Sequence, residues 1–320
     1  MGDVKSQDRL NTPPRTMRIG GFFGVDLLIR PSLLLMAAVL VVLFAPRFEG
    51  STTTNPYVLA MLFVVALYVS VLIHELAHVV VARAYRMHVP SVTLHLLGGE
   101  TAIEGDSRTP AQEFWTSVVG PLASIAIAYV AWLAAAAVPA GNAADVLRAV
   151  AYVNAVVGLM NLVPGMPLDG GRVFRALVWA VSGNKAAATT AAAWAGRLIA
   201  VVVVALPFLW AYSNGSSRLA IDLVLAILIS AFLWTGASQA LNMASRDRRL
   251  DHLSARSLAD LTTDIPRDVP TLPADLSGAD LLRAMAALPS DIYRLVESDG
   301  STWGLLAAES VDEACRKGQT

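Results

Sequence analysis

Two histidines four residues apart, with a glutamate directly after the first, make up the run His74-Glu75-Leu76-Ala77-His78. On an α-helix, positions i and i+4 share a face, so both imidazoles can reach one Zn²⁺. Glu75 can reach a water on that metal as general base, and zinc lowers the pKa of such a water to about 7. The same spacing also arises by chance on surface helices, so the setting matters. Residues 57–73, just before the motif, carry no charge. An acidic group in the middle of a membrane helix costs about 2.5–3.5 kcal/mol, and so costly a set usually has a function.

A catalytic zinc needs a third protein ligand and an open position. The remaining histidines are His88 and His95, in the loop that follows, and His252, far down the chain. Asp169 is the stronger candidate. It is the only acidic residue between Arg148 and Asp222, and it comes directly after Pro164-Gly165-Met166-Pro167-Leu168. It also falls at the same expected membrane face as His78. A second reading, compatible with the first, makes Asp169 the N-cap of a helix over 170–182. The two prolines break the chain as expected where backbone lines a polar cavity.

These residues need elements to hold them, and composition says which kind. The chain has 320 residues, 55% hydrophobic and 15% charged, with a mean hydropathy of +0.56. That is too few charges for an ordinary soluble surface and too apolar for disorder. A net charge of -1 gives no footing for nucleic acid. The single cysteine, Cys315, excludes a disulfide framework and a cysteine zinc cage.

Runs of about 20 apolar residues read as membrane spans. Six are expected, near 31–44, 57–85, 114–138, 146–181, 186–212 and 219–244. The first is short, the second holds the histidines, and the fourth is interrupted at 164–167. Arg197 and Asp222 lie within the last two spans and can snorkel to an interface. Residues 89–97 partly alternate and lead to Gly98-Gly99, as in a short strand or hairpin beside the membrane domain, while Glu100, Glu104 and Asp106 read as a solvated loop.

Arginine and lysine gather in alternate loops, which places both termini in the cytoplasm. Beyond Arg246 the chain reads as a small α/β unit. It is expected to have a helix near 258–261, an extended stretch over 264–272, an amphipathic helix over 277–287, and strands at 292–296 and 303–307 around Asp299-Gly300.

The His-Glu-x-x-His run in an apolar span, followed by Asn161-x-x-Pro164-x-x-Pro167-Leu168-Asp169-Gly170-Gly171, resembles the site-2 protease family of intramembrane zinc metalloproteases. Gly98-Gly99 and Gly120-Pro121-Leu122 fit the same pattern. The resemblance implies a mainly α, multi-pass membrane fold of about six transmembrane helices with a short re-entrant β segment. Its domains would be a cytoplasmic tail over 1–19, the membrane-embedded protease over 20–245, and a small α/β cytoplasmic domain over 252–320. It further implies one zinc per chain held by His74, His78 and Asp169, with Glu75 activating water and passing its proton to the leaving amine. Asn161 would hold the substrate backbone or oxyanion, and the strand at Gly98 and Gly99 would offer its edge to an extended substrate.

The substrate would be a transmembrane protein, such as an anti-sigma factor, cut within the bilayer of the cell membrane. The tail resembles a CBS domain. A lone repeat, and Arg294 in its strand, depart from the tandem pattern, so docking or homodimerisation stands beside adenine-nucleotide sensing. Two rival functions compete with the protease. A zinc transporter needs acidic or histidine residues spread along a pathway, whereas these form one compact set. An inactive scaffold of the same topology has no use for Glu75.

Overall fold

The computed structural model describes residues 16–22, 24–49, 54–95, 98–104, 107–214, 219–250, 253–261 and 268–317. Most of the tail expected over 1–19, and His252, Asp106 and residues 262–267, lie outside the described residues. The chain divides into two units, Met1–Trp234 and Thr235–Thr320.

The first unit combines helices with one four-stranded sheet. Strand β1 (Met17–Phe22) begins inside the stretch read as tail and pairs antiparallel with β2 (Val25–Ile29). Strand β2 runs parallel to β3 (His88–His95), which turns back antiparallel into β4 (Gly98–Glu104). The order is β1-β2-β3-β4, so β4 is an edge among the described residues. Glu100 and Glu104 therefore belong to a strand rather than a loop. The expected hairpin is present, but an N-terminal hairpin widens it into a sheet. Val25, Val89 and Val92 of the sheet pack on Val79 and Ala82.

Between β2 and β3 run two helices. Helix α1 (Ser32–Phe44) has 13 residues. At 1.5 Å per residue it covers about 20 Å, short of a roughly 30 Å hydrocarbon core. Pro31 opens it, and a 3-10 turn containing Pro46 closes it. Helix α2 (Pro56–Ala84) is 29 residues long, with Pro56 in its first turn and the Asn55 side chain accepting from the Tyr57 amide at 2.9 Å. Its N-terminal half buries Leu59, Ala60, Phe63 and Val64 against Val41, Phe48, Ala131 and Val150.

Helix α3 (Pro110–Ala137) is capped by Thr109, whose hydroxyl accepts from the Gln112 amide at 3.2 Å. The expected fourth span is two helices, α4 (Asn142–Asn161) and α5 (Asp169–Ser182), separated by the proline-containing break. Gly183, at φ 67°, ends α5 in the left-handed conformation that glycine tolerates best. Helices α6 (Lys185–Asn214) and α7 (Leu219–Leu250) follow.

Five helices (α2, α3, α4, α6 and α7) are long and apolar enough to cross a membrane, and α1 is a shorter apolar helix. Leu62, Val65, Trp132, Leu198 and Leu228 are among the large apolar side chains left exposed on their outer faces. The fold is thus mainly helical and multi-pass, with small sheets. Arg197, one turn along α6 from Trp194, packs against two indole rings. Its guanidinium lies 4.9 Å from each of the Trp194 and Trp234 ring centres.

The second unit holds helix α8 (Ala255–Leu258), strand β5 (Thr271–Pro273), helix α9 (Gly278–Ala287), strands β6 (Ile292–Val296) and β7 (Thr302–Ala307), and helix α10 (Ala308–Lys317). Strand β6 sits between β5, parallel to it, and β7, antiparallel. The helix expected near 258–261 ends at Leu258, and Asp260 instead bridges to Leu305. Tyr293 and Leu295 point into the core with Leu272, Leu281 and Leu306. Arg294 falls on the opposite face by strand alternation, so it breaks no core. In the β6–β7 turn, hydrogen bonds from Ser301 hold the Asp299 carboxyl below the usual carboxylate range.

Candidate metal centre

Helix α2 sets the two histidines one turn apart, and both are buried. Each ring is held from behind through Nδ1. His78 Nδ1–H donates to the Thr116 carbonyl at 2.5 Å, and His74 Nδ1 lies 2.9 Å from Ser124 Oγ. A carbonyl only accepts, so the neutral His78 ring carries its proton on Nδ1 and keeps a bare lone pair on Nε2.

Asp169 reaches the pair from the far side of the break. Its Oδ2 is 3.1 Å from His74 Nε2 and 3.4 Å from His78 Nε2, and the two nitrogens are 3.2 Å apart. The expected capping role is not realised: Leu168 is the N-cap and makes no side-chain hydrogen bond, while Asp169 is the first helical residue.

The break is pinned from both sides. Glycine is required at 170 because a Cβ there would strike the Leu162 and Val163 backbone, and one at 171 would strike Gly165 and Met166. On the other flank, the Met166 amide donates to Ala192 O at 3.2 Å, and Gly196 lies directly beneath Met166. Asp169 is therefore carried by a loop that has little room to shift.

Two imidazole nitrogens and one carboxylate oxygen lie within 4.8 Å of one another. Lone pairs converging in a buried space repel unless a cation sits among them. The donor set suits zinc, with three protein ligands leaving a fourth position open. Gly120 leaves the space clear: a Cβ there would come 2.7 Å from His74 Nε2 and nearer still to His78 Nε2. The residues present fit the metal, and their outer hydrogen bonds fix the imidazoles as such sites require.

Glu75 is buried beside the cluster, on the side of the sheet. Thr101 Oγ1–H, from β4, donates to Glu75 Oε2 at 2.6 Å, and Gly99 leaves room for the same side chain. Gly98 pairs with His95 at the start of β4. Asn161 is the half-buried last residue of α4, and no hydrogen bond among the described residues joins it to the cluster. His88 and His95 lie on β3, and neither belongs to the cluster.

Sequence reading missed Thr116, Ser124, Thr101 and the Glu113–Arg175 pair as parts of this region. A signal exists for the first two. Thr116, Gly120 and Ser124 recur every fourth residue, a small or hydroxylated stripe along an apolar helix. Glu113 and Arg175 look like separate loop charges in sequence. In the structure the Arg175 guanidinium, on α5, meets Glu113 Oε1 in the first turn of α3.

The model of peptidase family M50 matches residues 62–143 and 135–206. Two relatives are each named as a putative zinc metalloprotease. One, from Synechocystis, is 27% identical over 303 residues, 92% of this chain and 77% of the relative. The other, Rip3 of Mycobacterium tuberculosis, is 34% identical over 248 residues, 76% of this chain. This chain spans 61% of the length of Rip3. In fold, the chain is similar to the site-2 protease of Methanocaldococcus jannaschii, with a TM-score of 0.50 and 24% identity over 71% of this chain and 95% of that one. Over residues 62–206 the chain is thus similar to peptidase family M50, and the two relatives it matches are both named as putative zinc metalloproteases.

Proposed function

We propose that the protein is an intramembrane zinc metalloendopeptidase that cuts transmembrane segments of other membrane proteins. One observation carries the reading: His74, His78 and Asp169 converge within 4.8 Å on helices of a multi-pass apolar bundle, with Glu75 buried directly after His74 on the same helix. Bound zinc would supply a Lewis acid beside which water ionises near neutral pH. Glu75 takes the proton from the attacking water and returns it to the leaving amine. His74, His78 and Asp169 hold one metal per chain, while Ser124 and the Thr116 carbonyl keep the imidazoles aimed.

A helical peptide bond hides behind its own hydrogen bonds, so a substrate has to unwind before it is cut. The outer edge of β4 offers backbone partners to an unwound strand, with Gly98 and Gly99 at its start and Asn161 as a further backbone or oxyanion contact. The substrate class is a membrane-held regulator, such as an anti-sigma factor. The basic loops support a cell-membrane location with both termini cytoplasmic. The second unit reads as a single CBS-like module that docks or pairs chains.

The test uses a single-span reporter, tagged at both ends, expressed in cells with the protein. The wild type should release the tagged fragments, and Glu75→Gln should not, with zinc near one per chain in both. In the same cells a C-terminal tag on the protein should be shielded from external protease. Cleavage by Glu75→Gln overturns the assignment of the base, and absence of zinc from the wild type overturns the enzyme reading.

A further inference from the structure

The cluster explains how zinc would be held but leaves open how Glu75 is kept ready beside it. A glutamate has three rotatable bonds, and a base that swings freely spends little time in line with a reacting water. Glu75 is on α2, yet the groups that fix its carboxylate are on β4. By strand alternation Gly99 and Thr101 lie on one face of β4, two residues apart.

Their roles are complementary. A Cβ at Gly99 would come within 2.7 Å of Glu75 Oε1 and 2.8 Å of its Cδ, so glycine allows the strand to close over the side chain. Thr101 Oγ1–H then donates to Oε2 at 2.6 Å, a short bond to a charged acceptor in a buried setting. That bond occupies Oε2, while Oε1 lies over Gly99, so β4 holds the whole carboxylate and fixes the direction from which it can take a proton.

We infer that Thr101 is the positioning residue of the base, holding Glu75 through Oε2 from the edge strand. The inference rests on the protease reading. It adds that β4, the outermost strand and the proposed substrate edge, is also the element that aligns the base. Thr101 touches neither metal ligands nor reacting atoms and acts only through Glu75. Val has the shape of Thr without the hydroxyl, and Ser keeps the hydroxyl with less bulk, so the two variants separate hydrogen bonding from packing.

The experiment uses the full chain, purified in detergent micelles with zinc, with fluorescein-labelled casein as an unfolded polypeptide probe. T101V should lower kcat about 10- to 100-fold, the rate equivalent of one hydrogen bond to a charged group. KM and zinc per chain should stay at wild-type values, and T101S should recover most of the rate. In an E75Q background, T101V should change nothing further, because the group it serves is gone. Wild-type kcat in T101V, an effect on KM alone, or equal loss in T101S overturns the inference. So does loss of zinc in T101V, which marks a structural role. A wild type no faster than E75Q overturns the protease reading itself, and the role of Thr101 with it.

Discussion

Two sets of buried charged or ionisable groups stand in the same bundle, and they are built on opposite plans. In one, the carboxylate of Glu113, 0% exposed, meets the guanidinium of Arg175 across α3 and α5. Acid and base balance in charge through Oε1, while Glu113 Oε2 is buried without a hydrogen bond among the described residues. In the other, Asp169 and two imidazoles turn their lone pairs on one another, and no Lys or Arg joins them among the described residues. The first set carries its own counter-ion, while the second sets one carboxylate among imidazole nitrogens, a donor set that a metal would complete. Both involve α5: one end presents Asp169, and less than two turns on, Arg175 anchors the helix to α3. The difference separates scaffold from chemistry. A self-neutralised pair can be swapped for apolar groups, whereas a set that awaits a cation cannot.

Substitutions can sharpen that contrast. The largest effect is expected at the balanced pair. Glu113→Ala leaves Arg175 without its carboxylate and should cost about 3–5 kcal/mol, read as a lower midpoint of thermal unfolding in micelles. Replacing both partners together, as Glu113→Met with Arg175→Leu, should recover most of that loss, because matched apolar packing substitutes for a buried ion pair. If the double variant unfolds as early as the single, the pair is more than scaffold.

At the metal set the expected damage is to zinc rather than to folding. Gly120→Ala pushes a methyl against both Nε2 atoms and should lower zinc affinity about 100-fold, measured by competition with a chromophoric chelator. Ser124→Ala removes only the partner of His74 Nδ1 and should cost about tenfold in the same assay, with the unfolding midpoint little changed. A Ser124 variant that loses stability but keeps zinc would place this hydroxyl with the scaffold.

Much of this architecture is legible in the sequence, for definable reasons. His74, Glu75 and His78 are local on one helix, so spacing alone reveals them. Asp169 stands out because charges are scarce in apolar spans, and the prolines before it mark where the fourth span breaks into α4 and α5. The alternation at residues 292–296 is equally local. What escapes is nonlocal. Strands β1 and β2 meet β3 only after two intervening helices, and nothing in residues 17–29 announces a parallel partner 65 positions on. Thr101 is unremarkable in sequence until β4 folds over Glu75. Glu113 and Arg175 pass for loop charges because a pair 62 residues apart leaves no periodic trace. The short helix α1 falls between the two cases, since the length of its apolar run is already inadequate for a span.

The distance along the chain between Asp169 and the histidines has a consequence for biosynthesis. His74 and Asp169 are 95 residues apart. By the time residue 104 has been made, both imidazoles, the base and its threonine clamp all exist. The third ligand follows only after two further long helices, α3 and α4, and the break after them. A nascent chain therefore owns a base and two of the three protein ligands for a long stretch of translation. The cage closes only when α5 docks and α6 pins the break behind it, so the proposed hydrolytic centre is completed only after α2, β4, α3 and α4 are in place.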